Sequence, residues 1–79
     1  MMKIGLLWFD NDPKRSLETK ISEGVRRYKE KFGKSPNACY VNPAALEKGK
    51  IRIGDLQVEA SSTILPHHFW LGITDHQGR

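Results

Sequence analysis

The sequence predicts an α+β fold of two layers, in which one long helix lies on one face of a mixed sheet of four or five strands. An apolar run opens the chain, an amphipathic pattern of helical period follows, and several short runs of β-forming residues come after it. The 79 residues suit a single domain. We expect the polar residues 74–79 to form a frayed tail.

The first strand is predicted over residues 4–9, IGLLWF, which are apolar on both alternating sides apart from Gly5. Ile4, Leu6 and Trp8 would face one side of the sheet, and Leu7 and Phe9 the other. A short continuous apolar run of this kind is typical of a strand whose two faces are both covered.

The helix is predicted over residues 13–32. Its apolar positions, spaced by 4, 4, 3 and 4 residues, are Leu17, Ile21, Val25, Tyr28 and Phe32. At about 100° per residue they fall within an arc of roughly 80°, which makes one amphipathic stripe. Pro13 suits the first helical position, so Asp12 is the expected N-cap. Gly33 is the expected C-terminal cap.

The remaining strands follow the helix. Residues 38–41 form the second strand of a β-α-β unit, whose two strands are parallel if they share a sheet. Asn42 caps a short turn at 43–46. The alternating runs 51–53 and 56–60 flank Gly54 and Asp55, which is the pattern of a hairpin. Residues 67–73, HHFWLGI, form the last strand.

Composition limits the classes of protein to consider. Cys39 is the single cysteine, so an intramolecular disulfide is excluded and we expect a cytoplasmic protein. The N-terminal apolar run is too short for a signal peptide. No stretch approaches the roughly 18 apolar residues of a membrane-spanning helix, so a membrane partner is not expected.

Positive charge is concentrated in one segment. The chain carries +4. Residues 13–34 hold eight basic and three acidic residues, net +5, while the rest of the chain holds five basic and six acidic residues, net −1. The predicted helix is therefore the electropositive element.

The leading functional hypothesis is a small non-enzymatic interaction or oligomerisation domain without a cofactor. One helix covers one face of a sheet, yet the first and last strands have large apolar residues on both sides. We expect the uncovered face to meet a second copy of the chain or another protein. The residues assigned to this interaction surface are Trp8, Phe69 and Trp70.

Nucleic-acid binding through the basic helix 13–34 is the alternative hypothesis. The residues assigned to phosphate contacts are Lys20, Arg27, Lys31 and Lys34. The same residues also suit a solvated helix face, because Glu23 with Arg27 and Glu30 with Lys34 are favourable pairs four residues apart.

A third hypothesis is a metal-dependent hydrolase centred on Asp10, because carboxylates after a strand are common Mg²⁺ ligands. Asp12 is explained by helix capping. His67 and His68 are adjacent, so on a strand they point to opposite faces and suit a shared metal poorly. Cys39 lies mid-strand and is expected to be a core residue. No catalytic residue is assigned.

Three stretches carry two resemblances. At "YVNPAAL" and "LPHHFWLGI" the chain resembles small uncharacterised bacterial proteins that join an N-terminal β-α-β unit to a hairpin and a last strand, which implies a fold but no activity. The stretch "LLWFDNDPKRS" is similar to the first strand and turn of the small ferredoxin-like subunit of CRISPR spacer acquisition. In that family an acid ends the first strand, and the resemblance places Asp10 at that position.

Overall fold

The computed structural model describes residues 5–46 and 49–74. Its elements are β1 (Gly5–Phe9), α1 (Leu17–Phe32), β2 (Ala38–Val41), a 3₁₀ turn η1 (Pro43–Ala45), β3 (Lys50–Ile53), β4 (Leu56–Ala60) and β5 (His68–Gly72). The five strands form one mixed sheet and α1 packs on it, mainly against β5 and β1. The predicted α+β fold with one helix on a mixed sheet is confirmed.

The sheet has the strand order β1-β5-β2-β4-β3. β5 is antiparallel to both β1 and β2, so the two strands of the β-α-β unit are parallel to each other but separated by β5. β4 runs parallel to β2, and the predicted hairpin joins β3 to β4 through Gly54 and Asp55. The last strand of the chain is therefore placed between the first two.

The main hydrophobic cluster lies between α1 and one face of the sheet. The Ile53–Leu56 pair and two longer cross-strand rows supply that face. Each row is apolar throughout: Leu6, Leu71, Cys39, Val58 and Ile51, then Trp8, Phe69, Val41 and Ala60. The helix contributes its predicted stripe, with Ile21 and Tyr28 fully buried and Leu17, Val25 and Phe32 packed beside them. Gly24 also belongs to this contact, because a Cβ there would lie 2.9 Å from Cδ1 of Leu71.

The predicted start of the helix is wrong by four residues. α1 begins at Leu17 and its N-cap is Ser16, whose hydroxyl accepts a hydrogen bond from the Thr19 amide at 3.1 Å. Asp12 instead closes the preceding turn, accepting from the Lys14 amide at 2.9 Å. Serine caps a helix about as well as aspartate does, and the helix uses Ser16. The predicted cap at Gly33 is confirmed, with φ 75° and its amide donating to Lys29.

The C-terminal boundary also differs from the prediction. Thr74 is buried, and it exchanges hydrogen bonds with Asn37 at the start of β2: its amide donates to Oδ1 and its carbonyl accepts from Nδ2. Thr74 is therefore anchored and is not part of a frayed tail. The predictions for Ile4 and for residues 75–79 lie outside the described residues.

Candidate functional site

The face of the sheet opposite α1 is the candidate functional site, and we call it the open face. Strand alternation and pairing place its side chains in rows across the sheet. One row is Leu7, Trp70, Tyr40, Glu59 and Lys50; the next is Gly5, Gly72, Ala38, Gln57 and Arg52; Phe9 and His68 form a third at one end. The apolar half of the open face is therefore on β1, β5 and β2, and the polar half is on β4 and β3.

The apolar half exposes large side chains. Leu7 is 58% exposed and Phe9 is 51% exposed, while Trp70 and Tyr40 are half-buried. Phe9 packs against His68, with 4.9 Å between the ring centroids. A contiguous group of this kind on a small protein indicates a contact surface more often than a scattered exposed leucine does.

Trp70 lies along the sheet. Its indole extends from β5 over the neighbouring strand, where a Cβ on Gly5 would come within 2.1 Å of Cη2. The glycine therefore leaves the room that the six-membered ring occupies. Because of this arrangement Trp70 contributes a flat apolar area and does not project as an isolated side chain.

The polar half is formed by β4 and β3. Lys50 lies opposite Glu59, and Arg52 lies opposite Gln57. The Gln57 amide donates to Oε2 of Glu59 at 2.9 Å, which partly satisfies that carboxylate. Lys50 and Arg52 are both exposed, so the outer edge of the open face is cationic.

The three residues predicted for the interaction surface are divided between the two faces. Trp70 is on the open face. Phe69 is 2% exposed and lies under α1, and Trp8 contacts α1 at Gly24, so neither contributes to an exposed sheet surface. Leu7, Phe9 and Tyr40 take their place. The alternation within each strand separates Leu7 and Phe9 from Trp8, but the pairing of β5 with β1 is needed to show which set shares a face with Trp70.

The basic residues of α1 are partly neutralised by their neighbours. Arg26 pairs with Glu23 and Glu30, and Nε of Arg27 lies 3.3 Å from Glu23. The hydrogen bonds from Arg26 and Arg27 hold the pKa of Glu23 below its ordinary value, and Glu23 raises the pKa of Arg26. Arg27 also lies over Trp8, 5.0 Å from the ring centroid.

The other predicted phosphate contacts are spread over different environments. Lys31 lies 5.5 Å from the centroid of the Phe32 ring. Lys34 is exposed beyond the C-cap. Lys20 lines a pocket of about 260 Å³ with Leu17, Ala45, His67, His68 and Phe69. Lys20 therefore lies on the α1 side of the sheet, close to the start of β5.

Asp10 has two local partners. Its Oδ1 accepts from the Asp12 amide at 2.9 Å, and its Oδ2 lies 3.3 Å from Nε of Arg15. The side chain is 11% exposed. Within residues 5–46 and 49–74, no three His, Cys, Asp or Glu side chains come together as a metal would require. Asp10 therefore orders the turn between β1 and α1.

His67, which precedes β5, hydrogen-bonds to the same turn through its backbone. It has φ 67°, the left-handed conformation that is uncommon outside glycine, and its carbonyl accepts from the Asp10 amide at 3.0 Å. The Phe9 ring contacts the imidazoles of both His67 and His68. The two histidines thus pack on one aromatic ring at the corner of the open face.

A second groove, of about 290 Å³, lies between α1 and the β3–β4 hairpin. Ile21, Val25, Ile53 and Leu56 form its apolar lining, and Lys29 and Asp55 stand among its polar residues. It exists because α1 lies over β5 and β1, leaving the hairpin side of the core less covered.

Cys39 is fully buried, and burial raises the pKa of its thiol to about 12.

Comparison with known proteins adds no functional assignment. No protein family, curated protein or solved structure matches this chain. Among the described residues, no helix combines the length and apolarity needed to cross a membrane.

Proposed function

We propose that this chain is a small, non-enzymatic binding module of the cytoplasm whose working surface is the open face. The observation that carries the proposal is the exposure of Leu7 and Phe9, at 58% and 51%, beside Trp70 and Tyr40 on the face that lacks the helix. The single buried thiol of Cys39 fits a reducing compartment.

Folding and the proposed binding use opposite faces of the sheet. The core formed by α1 and the opposite face already buries two complete apolar rows of the sheet. Leu7 and Phe9 therefore contribute little to that core. Large apolar side chains that remain in water gain free energy when a partner covers them, at about 25 cal/mol for each Å² removed from water.

Equilibrium unfolding in urea tests this division of roles. We expect the double variant Leu7→Ser/Phe9→Ser to change the free energy of unfolding by less than about 1 kcal/mol, because surface substitutions have small effects. A loss above about 2 kcal/mol, as core truncation causes, would make these residues part of the protein's own fold and would contradict the proposal.

Self-association is measured on the same variants. Sedimentation velocity from micromolar to millimolar concentration detects a second copy on the open face. An association that Leu7→Ser/Phe9→Ser abolishes would identify that copy as the occupant. The control is Leu65→Ser, which removes a side chain that is 67% exposed and lies in the loop before β5. Association lost equally in the control would place the contact elsewhere.

Phosphate binding by α1 is retained as the alternative proposal. The exposure of Lys31 and Lys34 favours it, and the pairing of Arg26 and Arg27 with glutamates weakens it. Reversing the charge of Lys20, Arg27 and Lys31 abolishes nucleic-acid binding if α1 is the binding surface.

A further inference from the structure

We propose that the occupant of the open face is a short single-stranded nucleic acid. Its bases stack on Trp70, Tyr40 and Phe9, and its phosphates meet Lys50 and Arg52 at the β3 edge of the face. The inference rests on the proposed function, because it names the partner of that same surface. In this proposal the nucleic acid binds the sheet and not the basic helix.

The aromatic residues are arranged for consecutive bases. Phe9, Trp70 and Tyr40 come from three adjacent strands, β1, β5 and β2. Trp70 and Tyr40 are directly opposite, and Phe9 is diagonal to Trp70 because it pairs with His68. The Cβ atoms at such positions are about 5 to 8 Å apart. The Trp70 ring extends over Gly5, four residues along β1 from Phe9, so bases spaced along one extended strand can each meet a ring. Stacking of this kind tolerates any base.

The orientation of Trp70 favours stacking further. The indole leans over Gly5 and lies along the sheet. Gly5, Gly72 and Ala38 occupy the adjacent row, so these three strands place no large side chain on that side of the ring, while Leu7, the cross-strand partner of Trp70, stands on the other side. A planar base can therefore approach the open face over a low surface.

Charge complementarity distinguishes an anionic occupant from a purely apolar one. Lys50 shares the row of Trp70 and Tyr40 and lies three strands from Trp70, about 14 Å at the usual strand spacing. Arg52 is in the next row of the same strand. Glu59 is the acid on this face, and it is engaged by Gln57.

The size of the apolar half argues against a second copy as the occupant. Three strands of about five residues cover roughly 14 by 16 Å, or about 220 Å² in projection. Each partner in a stable protein complex loses about 800 Å² of accessible surface. A face-to-face dimer would have to include the charged half, with Lys50 and Arg52. A few stacked bases need only the aromatic part.

Fluorescence anisotropy tests the proposal on the full chain. The probes are fluorescein-labelled oligouridine and oligothymidine of about eight nucleotides, within the site sizes of single-strand-binding proteins, with an unlabelled duplex as competitor. We expect Trp70→Ala and Phe9→Ala each to weaken binding at least about fivefold, since one stacked base accounts for such a factor. Trp70→Phe retains a ring and loses less. Circular dichroism and thermal unfolding establish that each variant is folded.

The salt dependence gives a second readout that a folding defect does not mimic. Each phosphate neutralised on a single strand adds about 0.7 to the slope of log K against log salt. Lys50→Gln/Arg52→Gln is expected to reduce that slope by about 1.4, and Trp70→Ala to leave it unchanged. The matched control Lys29→Gln/Lys31→Gln removes the same charge from α1 and is expected to leave the slope unchanged.

The outcomes separate this inference from the proposed function. Undetectable binding of both oligonucleotides at low salt would overturn the inference, as would a slope that falls only in the α1 control. If sedimentation then shows an association that Leu7→Ser/Phe9→Ser abolishes, the open face remains the working surface with a second copy as its occupant. Binding of one oligonucleotide and not the other supports the proposal and distinguishes RNA from DNA.

Discussion

Trp70 occupies the space that a side chain at Gly5 would need. A Cβ at residue 5 would lie 2.1 Å from Cη2 of the indole, well inside van der Waals contact. The two residues belong to neighbouring strands and to the open face, where Trp70 pairs with Leu7 and Gly5 pairs with Gly72. The absence of a side chain at Gly5 therefore sets the position of the largest ring on the candidate binding surface.

Gly5→Ala is expected to displace that ring. The contact is made by the far end of the indole, which can rotate away, so we expect a loss in the free energy of unfolding of only about 1 kcal/mol. Emission from Trp70 should shift to longer wavelength as the ring becomes more exposed. The measurement uses a Trp8→Phe background, which removes the other tryptophan. An unchanged spectrum would show that the indole does not lie over Gly5.

Gly24→Ala tests the contact between α1 and the sheet. Alanine improves the intrinsic helix propensity by about 1 kcal/mol, but its Cβ would lie 2.9 Å from Cδ1 of the fully buried Leu71 and 3.3 Å from Trp8. Overpacking costs about 1 to 3 kcal/mol, so we expect a net loss of about 1 kcal/mol in urea unfolding. Higher stability would mean that the helix is less closely packed than described.

The two interactions of Asp10 can be separated by substitution. Asp10→Asn keeps an oxygen for the Asp12 amide and loses the ion pair with the partly exposed Arg15, so we expect a loss below about 1 kcal/mol. Asp10→Ala removes both and should cost about 1 to 2 kcal/mol. Thermal unfolding with and without Mg²⁺ is the control. A stabilisation by Mg²⁺ that Asp10→Asn abolishes would support a metal site instead of a turn-forming residue.

Burial of Cys39 predicts both an unreactive thiol and a dependence of stability on pH. The folded pKa is raised to about 12 from an ordinary value of 9.0. The thiol therefore favours the folded state below about pH 9, and this contribution declines at higher pH because the unfolded thiol ionises first. At pH 8 a thiol reagent should react at the rate of unfolding. Rapid reaction in native buffer would contradict the burial, and Cys39→Ala should lose the part of the pH dependence that the thiol contributes.

Local patterns were sufficient for the elements of the fold but not for their boundaries. The helical stripe, the cap at Gly33 and the hairpin at Gly54 and Asp55 each depend on neighbours in the chain, and each is confirmed. The start of α1 was wrong because Asp12 and Ser16 are both good caps. Which of the two residues caps the helix depends on the turn that Asp10 and Asp12 form.

The membership of the open face could be read from the sequence only in part. Alternation places Leu7 and Phe9 on one face of β1 and Trp8 on the other. It likewise places Trp70 and Phe69 on different faces of β5. It does not show which face of β1 and which face of β5 lie on the same side of the sheet. That depends on pairing between residues more than fifty positions apart in the chain. Trp8 and Phe69 were therefore assigned to the surface, although they form the row under α1.

The sequence by itself determined the class of fold, the one-sided helix, the concentration of basic residues in 13–34 and the presence of more apolar strand faces than one helix covers. These follow from periodicity and composition, which are local. Only the tertiary structure decided that β5 enters between β1 and β2, and hence that Phe9, Trp70 and Tyr40 lie together with Lys50 at the far end of the Trp70–Tyr40 row. That arrangement comes from non-local hydrogen bonding between strands and from burial of every alternate residue beneath α1.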